Sequence, residues 1–258
     1  KMAVNEQFQD SLVNAFSLFK GPNGTLFAIF FAIVIVLLTI VVGWIIGRSR
    51  NKRNTVLLLG LSDGGKTLLF TRLYYGKFIA THTSIKENKG TYALKQAQDG
   101  KFLELIDVPG NERLRGKFIE QFKDLARGII FIVDSVNFTR ELHAVAECLY
   151  DILSNKTFNK LSPQLLIACN KQDLTTAKSM NVIKSQLAKE INTLRKTRAA
   201  AVKGLDEQSM SRDEVFVGQK GKDFDFADLR VIKVEIIECS LKGDSDLKDI
   251  HEWLNKLM

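Results

Sequence analysis

The hydrophobic pattern changes character along the chain. Residues 26–46 form one apolar run without a charged side chain, and Arg48, Arg50, Lys52 and Arg53 follow it closely. Beyond that point the apolar runs become short and continuous, at 55–59, 128–133 and 165–168. Such runs suit parallel strands buried on both faces. Between them apolar residues return at helical spacing, as at Leu142, Val145, Ala146, Leu149 and Ile152. The pattern predicts strands at 55–59, 91–97, 101–106, 128–133, 165–168 and 231–238, and helices at 66–75, 112–125, 141–153, 180–194 and 247–257. Gln98-Asp99-Gly100 lies between two of the strand-like runs and signals a hairpin. The expected fold class is therefore α/β: a mostly parallel six-stranded sheet with one antiparallel strand and helices on both faces.

Two segments stand apart. A membrane span needs about 20 apolar residues for a hydrocarbon core of ~30 Å, and residues 26–46 meet that length, with Trp44 near one end. The basic residues follow the run, whereas a signal peptide carries them before it. By the positive-inside rule the larger, C-terminal part faces the cytosol. The expected organisation is a short lumenal tail at 1–25, a transmembrane helix at 26–47, a basic cytosolic linker at 48–53 and a nucleotide-binding domain at 54–258. Within the tail, Val4, Phe8, Leu12, Phe16 and Phe19 recur at near-helical spacing, which suits either an amphipathic helix on the far leaflet or an unstructured tail. Residue 1 is Lys, so the chain start is read as open to further residues. Residues 196–225 mix charge, Gly, Ser and Ala without a period and read as a flexible insertion. Phe224 and Phe226 at its end are expected to cover the core edge.

The candidate chemistry sits at the strand ends. Gly60, Leu61, Ser62, Asp63, Gly64, Gly65, Lys66 and Thr67 form a complete G-x-x-x-x-G-K-[ST] phosphate loop, with Leu68 next in the following helix. Backbone N–H groups in such a loop surround a β-phosphate, Lys66 brings a point charge to the β- and γ-phosphates, and the Thr67 hydroxyl suits Mg²⁺. Asp107-Val-Pro-Gly110 follows a strand, so Asp107 can hold Mg²⁺ through water and the Gly110 N–H can reach the γ-phosphate. Asn170-Lys171-Gln172-Asp173 also ends a strand. The Asp173 carboxylate can accept from both donors on the Watson–Crick edge of guanine, and adenine leaves that carboxylate unpaired. The stem of Lys171 can cover the base, while Ser240 and Lys242 brace the pocket and the Leu241 N–H reaches the guanine oxygen. In this order the motifs describe a guanine-nucleotide switch with GTP or GDP and Mg²⁺ as cofactors. The residue that closes over the γ-phosphate lies between the first helix and the hairpin, where Thr81, Thr83 and Ser84 all qualify.

Composition removes other classes. The net charge is +8, part of it local to the basic linker, and no basic-aromatic motif for nucleic acid appears. Cys148, Cys169 and Cys239 are an odd set without close spacing, which excludes a disulfide framework and a zinc site and suits a reducing compartment. The histidines, His82, His143 and His251, are scattered, and only His82 falls near the expected nucleotide site.

These motifs resemble the Ras superfamily of P-loop GTPases and, within it, the Arf and Sar branch. With the preceding apolar run, the chain is similar to the family of signal recognition particle receptor beta subunits. Further likenesses are Thr81-His-Thr-Ser-Ile85, Leu166-Ile-Ala-Cys-Asn-Lys-Gln-Asp173, Leu194-Arg-Lys-Thr-Arg198 and Glu238-Cys-Ser-Leu-Lys-Gly243. The resemblance singles out Thr83 as the threonine that senses Mg²⁺ and γ-phosphate. It implies an anchor in the endoplasmic reticulum membrane for the receptor's alpha subunit, whose N-terminal domain docks on the GTP-bound switch surface. Ribosome–nascent-chain complexes and the protein-conducting channel are the wider partners it implies. One position departs from the Ras pattern. The water-orienting Gln that follows the glycine of Asp-x-x-Gly is Asn111 here, one methylene shorter. Catalysis falls steeply when an orienting group is ~1 Å out of place. With Lys66 and Thr83 as the other catalytic candidates, slow intrinsic GTP hydrolysis is expected. The competing reading is a membrane-spanning Arf-like GTPase that hydrolyses GTP unaided.

Overall fold

Side chains alternate across the central strands, and this alternation builds a core on each face of one sheet. The computed structural model describes residues 24–50, 53–93, 102–204, 215–242 and 247–257, with the side chains at 24–28, 43–50 and 199–204 left undescribed. The chain divides into two units, residues 1–52 and 53–258. In the second, the strands are β1 (Thr55–Leu59), β2 (Asn88–Ala93), β3 (Phe102–Asp107), β4 (Ala126–Asp134), β5 (Gln164–Asn170) and β6 (Val234–Glu238), in sheet order β2-β3-β1-β4-β5-β6. Among these strands only the β2–β3 pair is antiparallel. The expected fold class holds. The hairpin turn at Gln98-Asp99-Gly100 lies outside the described residues.

In the first unit, α1 spans Gly24–Arg50, 27 residues. Every described side chain on it, residues 29–42, is exposed. The only polar side chain among them, Thr39, donates to the Val36 carbonyl at 2.8 Å. Among the described residues no helix is long and apolar enough to cross a membrane. The tail, Lys52 and most of the linker side chains lie outside the described residues. Arg53 belongs to the second unit, where its guanidinium donates to the Leu161 carbonyl at 2.8 Å.

The helices of the second unit are α2 (Lys66–Tyr75), α3 (Glu112–Phe122), α4 (Phe138–Ser154), α5 (Lys156–Leu161), α6 (Met180–Gly204) and α7 (Lys248–Leu257). Leu57, Leu59, Phe131, Val133, Leu165 and Ile167 point to one core, with α4 and α6. Their neighbours Val56, Leu58, Ile130, Ile132, Leu166 and Ala168 point to the other, with α2 and α7. A Leu→Ala change at such sites typically costs about 2–5 kcal/mol, so this alternation is what fixes the sheet. Leucine periodicity stops at Leu194, yet α6 runs on to Gly204. The stretch 196–225, read from sequence as a flexible insertion, begins inside α6 and ends in the core. Alanines at 199–201 favour helix without giving an apolar period. At the other end Val217, Phe224 and Phe226 are buried in the core. The two phenylalanines cover the core edge as expected. Residues 205–214 lie outside the described part.

Candidate functional site

The phosphate loop sits where the chain's connections diverge. β1 has β3 on one side and β4 on the other, so the loops after β1 and β4 leave in opposite directions. A crevice at the C-terminal strand ends follows from that topology. Gly60 ends β1 with φ +133°, and an added Cβ there would lie 2.3 Å from the Ile132 carbonyl oxygen. Gly65 caps α2 with φ +106°, and its Cβ would lie 2.4 Å from Asn170 Nδ2. Only glycine fits either position. The loop's amides thus converge at a helix N-terminus, the backbone geometry that receives phosphate.

Lys66 is buried, and its ammonium donates to the Leu61 carbonyl at 2.5 Å. Burial lowers its pKa, while the Asp107 carboxylate opposes that shift. A bound phosphate would supply the anion such a lysine lacks. Gly110 presses on the same loop. A Cβ there would lie 2.5 Å from Ser62 N and 2.6 Å from Lys66 Nζ.

Of the candidate metal ligands Thr67, Thr83 and Asp107, two lie together. Thr67 Oγ1 donates to Asp107 Oδ2 at 2.8 Å. Asn88 Nδ2 donates to the same oxygen at 2.9 Å, and Thr67 and Ser84 hydroxyls lie 3.0 Å apart. Asp107 Oδ1 is buried without a partner. Burial raises the Asp107 pKa, against the Asn88 and Thr67 hydrogen bonds and the Lys66 charge. An orphaned carboxylate oxygen beside a hydroxyl, in a pocket that disfavours bare negative charge, fits a hydrated divalent cation. Thr83 faces elsewhere, with its hydroxyl donating to Asp63 at 3.3 Å.

The base end is assembled from three strands. Asn170 ends β5; its amide donates to the Gly64 carbonyl at 2.8 Å and accepts from Leu241 N at 3.0 Å. One side chain thereby ties the phosphate loop to the Ser240 motif. Ser240 donates to Asp173 at 2.8 Å, which orients that carboxylate. Lys171 has φ +70°, and its ammonium pairs with Asp134 at 2.6 Å, which lays its stem along the cleft. Burial pushes the Asp134 pKa up, but donors from Lys171, Asn137 and Val136 outweigh it and hold the carboxyl below its usual range.

A cleft of about 420 Å³ unites these parts. Of the expected residues, Ser62, Asp63, Gly65, Lys66, Thr67, Leu68, Thr83, Gly110, Asn170, Lys171, Asp173, Leu241 and Lys242 line it, with Thr81, His82 and Ser84. Gly60, Leu61, Gly64, Asp107 and Ser240 stand behind the lining. Asn111 does not line this cleft. It lines an adjoining one with Arg113 and Glu141, and its side-chain carbonyl caps α3 by accepting from Arg113 N at 3.0 Å. Sequence reasoning missed Asn88, Asp134 and Leu174. Asp134 was findable, since an acid ending an apolar strand resembles Asp107, but Asn88 carries no local signal.

Comparison with known proteins agrees with this geometry. Residues 51–234 match the family model of the signal recognition particle receptor beta subunit. Human signal recognition particle receptor subunit beta is 46% identical over 244 residues, covering 92% of this chain and 89% of the human one. The solved structure of the mammalian SRP receptor superposes with a TM-score of 0.68 at 43% identity, covering 79% of this chain and all of that one. The signal recognition particle receptor SRb-GDP-Mg from Chaetomium thermophilum gives a TM-score of 0.60 at 26% identity, covering 80% of this chain and 98% of that one.

Proposed function

The chain belongs to the signal recognition particle receptor beta subunit family, GTPases of the Arf-like branch, and from that premise we propose a membrane-anchored, GTP-dependent docking subunit. In its GTP state it binds the N-terminal domain of the receptor's alpha subunit at the endoplasmic reticulum, and it hydrolyses GTP slowly. The observation that carries this reading is the Asn170 bridge. It ties the phosphate loop, at the Gly64 carbonyl, to Leu241, next to the Ser240 that holds Asp173.

Guanine and Mg²⁺ divide the cleft between them. Asp173, oriented by Ser240, would read the two guanine donors; the Leu241 N–H, expected on the guanine oxygen, is instead donated to Asn170 Oδ1. Lys66 turns from the Leu61 carbonyl to the β- and γ-phosphates. Thr67 and, through water, Asp107 would hold a divalent cation, which would supply charge neutralisation for the phosphates. Thr83 and Ser84 are consecutive, so in extended chain their side chains face opposite ways. With Ser84 toward Thr67, Thr83 turns to Asp63. Seating Thr83 over a γ-phosphate reorders this segment, and that reordering makes the docking surface.

Asn111 supports slow turnover, because its side-chain carbonyl is engaged at the α3 cap. The exposed apolar side chains of α1 at residues 29–42 support a span, since such a surface needs a core or a bilayer around it. Asp173→Asn is the test. The variant should lose alpha-subunit docking with GTP and regain it with xanthosine triphosphate. Docking indifferent to either nucleotide contradicts the proposal.

A further inference from the structure

The metal ligands have a neighbour from outside every nucleotide motif. Asn88 opens β2 and stands directly opposite Asp107 in the antiparallel β2–β3 pair. Opposed residues on such a pair carry their side chains on the same face, Cβ atoms about 5 Å apart. The Asn88 amide uses that placement fully, donating to Asp107 Oδ2 at 2.9 Å and to Ser84 Oγ at 3.2 Å. Thr67 donates to the same Oδ2, so two donors pin one carboxylate oxygen and leave Oδ1 unpaired.

We propose that Asn88 is a positioning residue for the cation: through Asp107 it sets Mg²⁺ affinity, and through Mg²⁺ it sets how long nucleotide stays bound. The inference rests on the reading of Thr67 and Asp107 as the metal's ligands. Residue type supports it. An amide orients the carboxylate without cancelling the charge a cation needs, as a lysine would, and without adding a repelling charge, as an acid would. Its second hydrogen ties the same carboxylate to Ser84, next to Thr83, so the closing segment and the metal site share one anchor. Asn88 lies at the start of an edge strand and is half-buried, so shortening it removes hydrogen bonds rather than core.

The test follows release of a fluorescent GDP analogue from the full chain in detergent, across a series of free Mg²⁺ concentrations. Asn88→Ala should raise the Mg²⁺ needed to hold nucleotide by about 10- to 100-fold, the usual effect of losing a partner of a metal ligand. In excess chelator the variant and the parent should release at the same rate. Asn88→Gln, which keeps the amide, should fall between the two. Superimposable Mg²⁺ curves for Asn88→Ala and the parent overturn the proposal. So does faster release by the same factor with and without Mg²⁺, which marks a merely structural role. Release from the parent that ignores Mg²⁺ overturns the underlying metal reading itself, and this inference with it.

Discussion

Gly65 tolerates no side chain where it lines the cleft. Its φ of +106° and the 2.4 Å that would separate an added Cβ from Asn170 Nδ2 exclude even alanine. Gly65→Ala should therefore weaken GDP binding by at least about 100-fold in equilibrium titration while circular dichroism keeps its helical signal; binding within a few-fold of the parent would contradict the role of the Asn170 bridge. The carboxylates make opposite pH statements. Asp134 is held below its usual range, so its ionised form stabilises the fold above the unfolded carboxylate pKa of about 3.9. That contribution disappears as pH falls through the lower folded value. Asp107 is raised by burial, so its contribution is complete below the unfolded pKa and is lost as pH rises through the folded one. At neutral pH, Asp107→Asn should raise the Tm of the metal- and nucleotide-free protein and abolish the further rise that Mg²⁺ with GDP gives the parent. Melting curves that keep the Mg²⁺-dependent rise would contradict its place at the metal. Asn111→Gln restores reach but loses a helix cap; it should speed single-turnover hydrolysis about tenfold and cost about 1 kcal/mol in urea unfolding.

At the scale of elements, the central strands β1, β4 and β5 were legible because they are buried on both faces, and an unbroken apolar run has few other uses. The phosphate loop and the Asn170 motif were legible because their residues are local. What escaped depends on partners far along the chain. Val231 belongs to an apolar run but is 47% exposed, and β6 starts only at Val234, where pairing with Leu165 begins. α5 hides in a connection; its signals are Asn155, whose side-chain carbonyl accepts from Thr157 N and Phe158 N, and the buried Phe158. Asn88 becomes a site residue only through the β2–β3 register, which no local pattern encodes. One buried side chain gathers several carbonyls of the segment 215–225. Arg195 on α6 donates to the carbonyls of Val217, Gln219 and Lys222 and lies over the Phe216 ring. Arg195→Ala should cost about 2–3 kcal/mol in urea unfolding and raise hydrogen exchange at 215–225 above that of β4. Arg195→Lys should not rescue it, because one ammonium cannot reach the carbonyls that a planar fork spans. Unchanged exchange would show the segment to be held by Val217 and Phe224 alone.

For the whole molecule, one chain carries both a helix with no charge among its described side chains, residues 29–42, and a cleft lined by the residues proposed to read guanine. On the proposed reading, slow turnover would follow from Asn111 being spent on the α3 cap, and a long-lived GTP state is what an anchor for another subunit would require. The most direct measurement is the nucleotide carried by the full chain after gentle purification in detergent, followed by single-turnover hydrolysis with and without the alpha subunit's N-terminal domain. A GTP-dependent anchor predicts mostly intact GTP and very slow hydrolysis, with the docked domain bound to the GTP form alone. Mostly GDP, with unaided hydrolysis at ordinary small-GTPase rates and docking that ignores nucleotide, would contradict it.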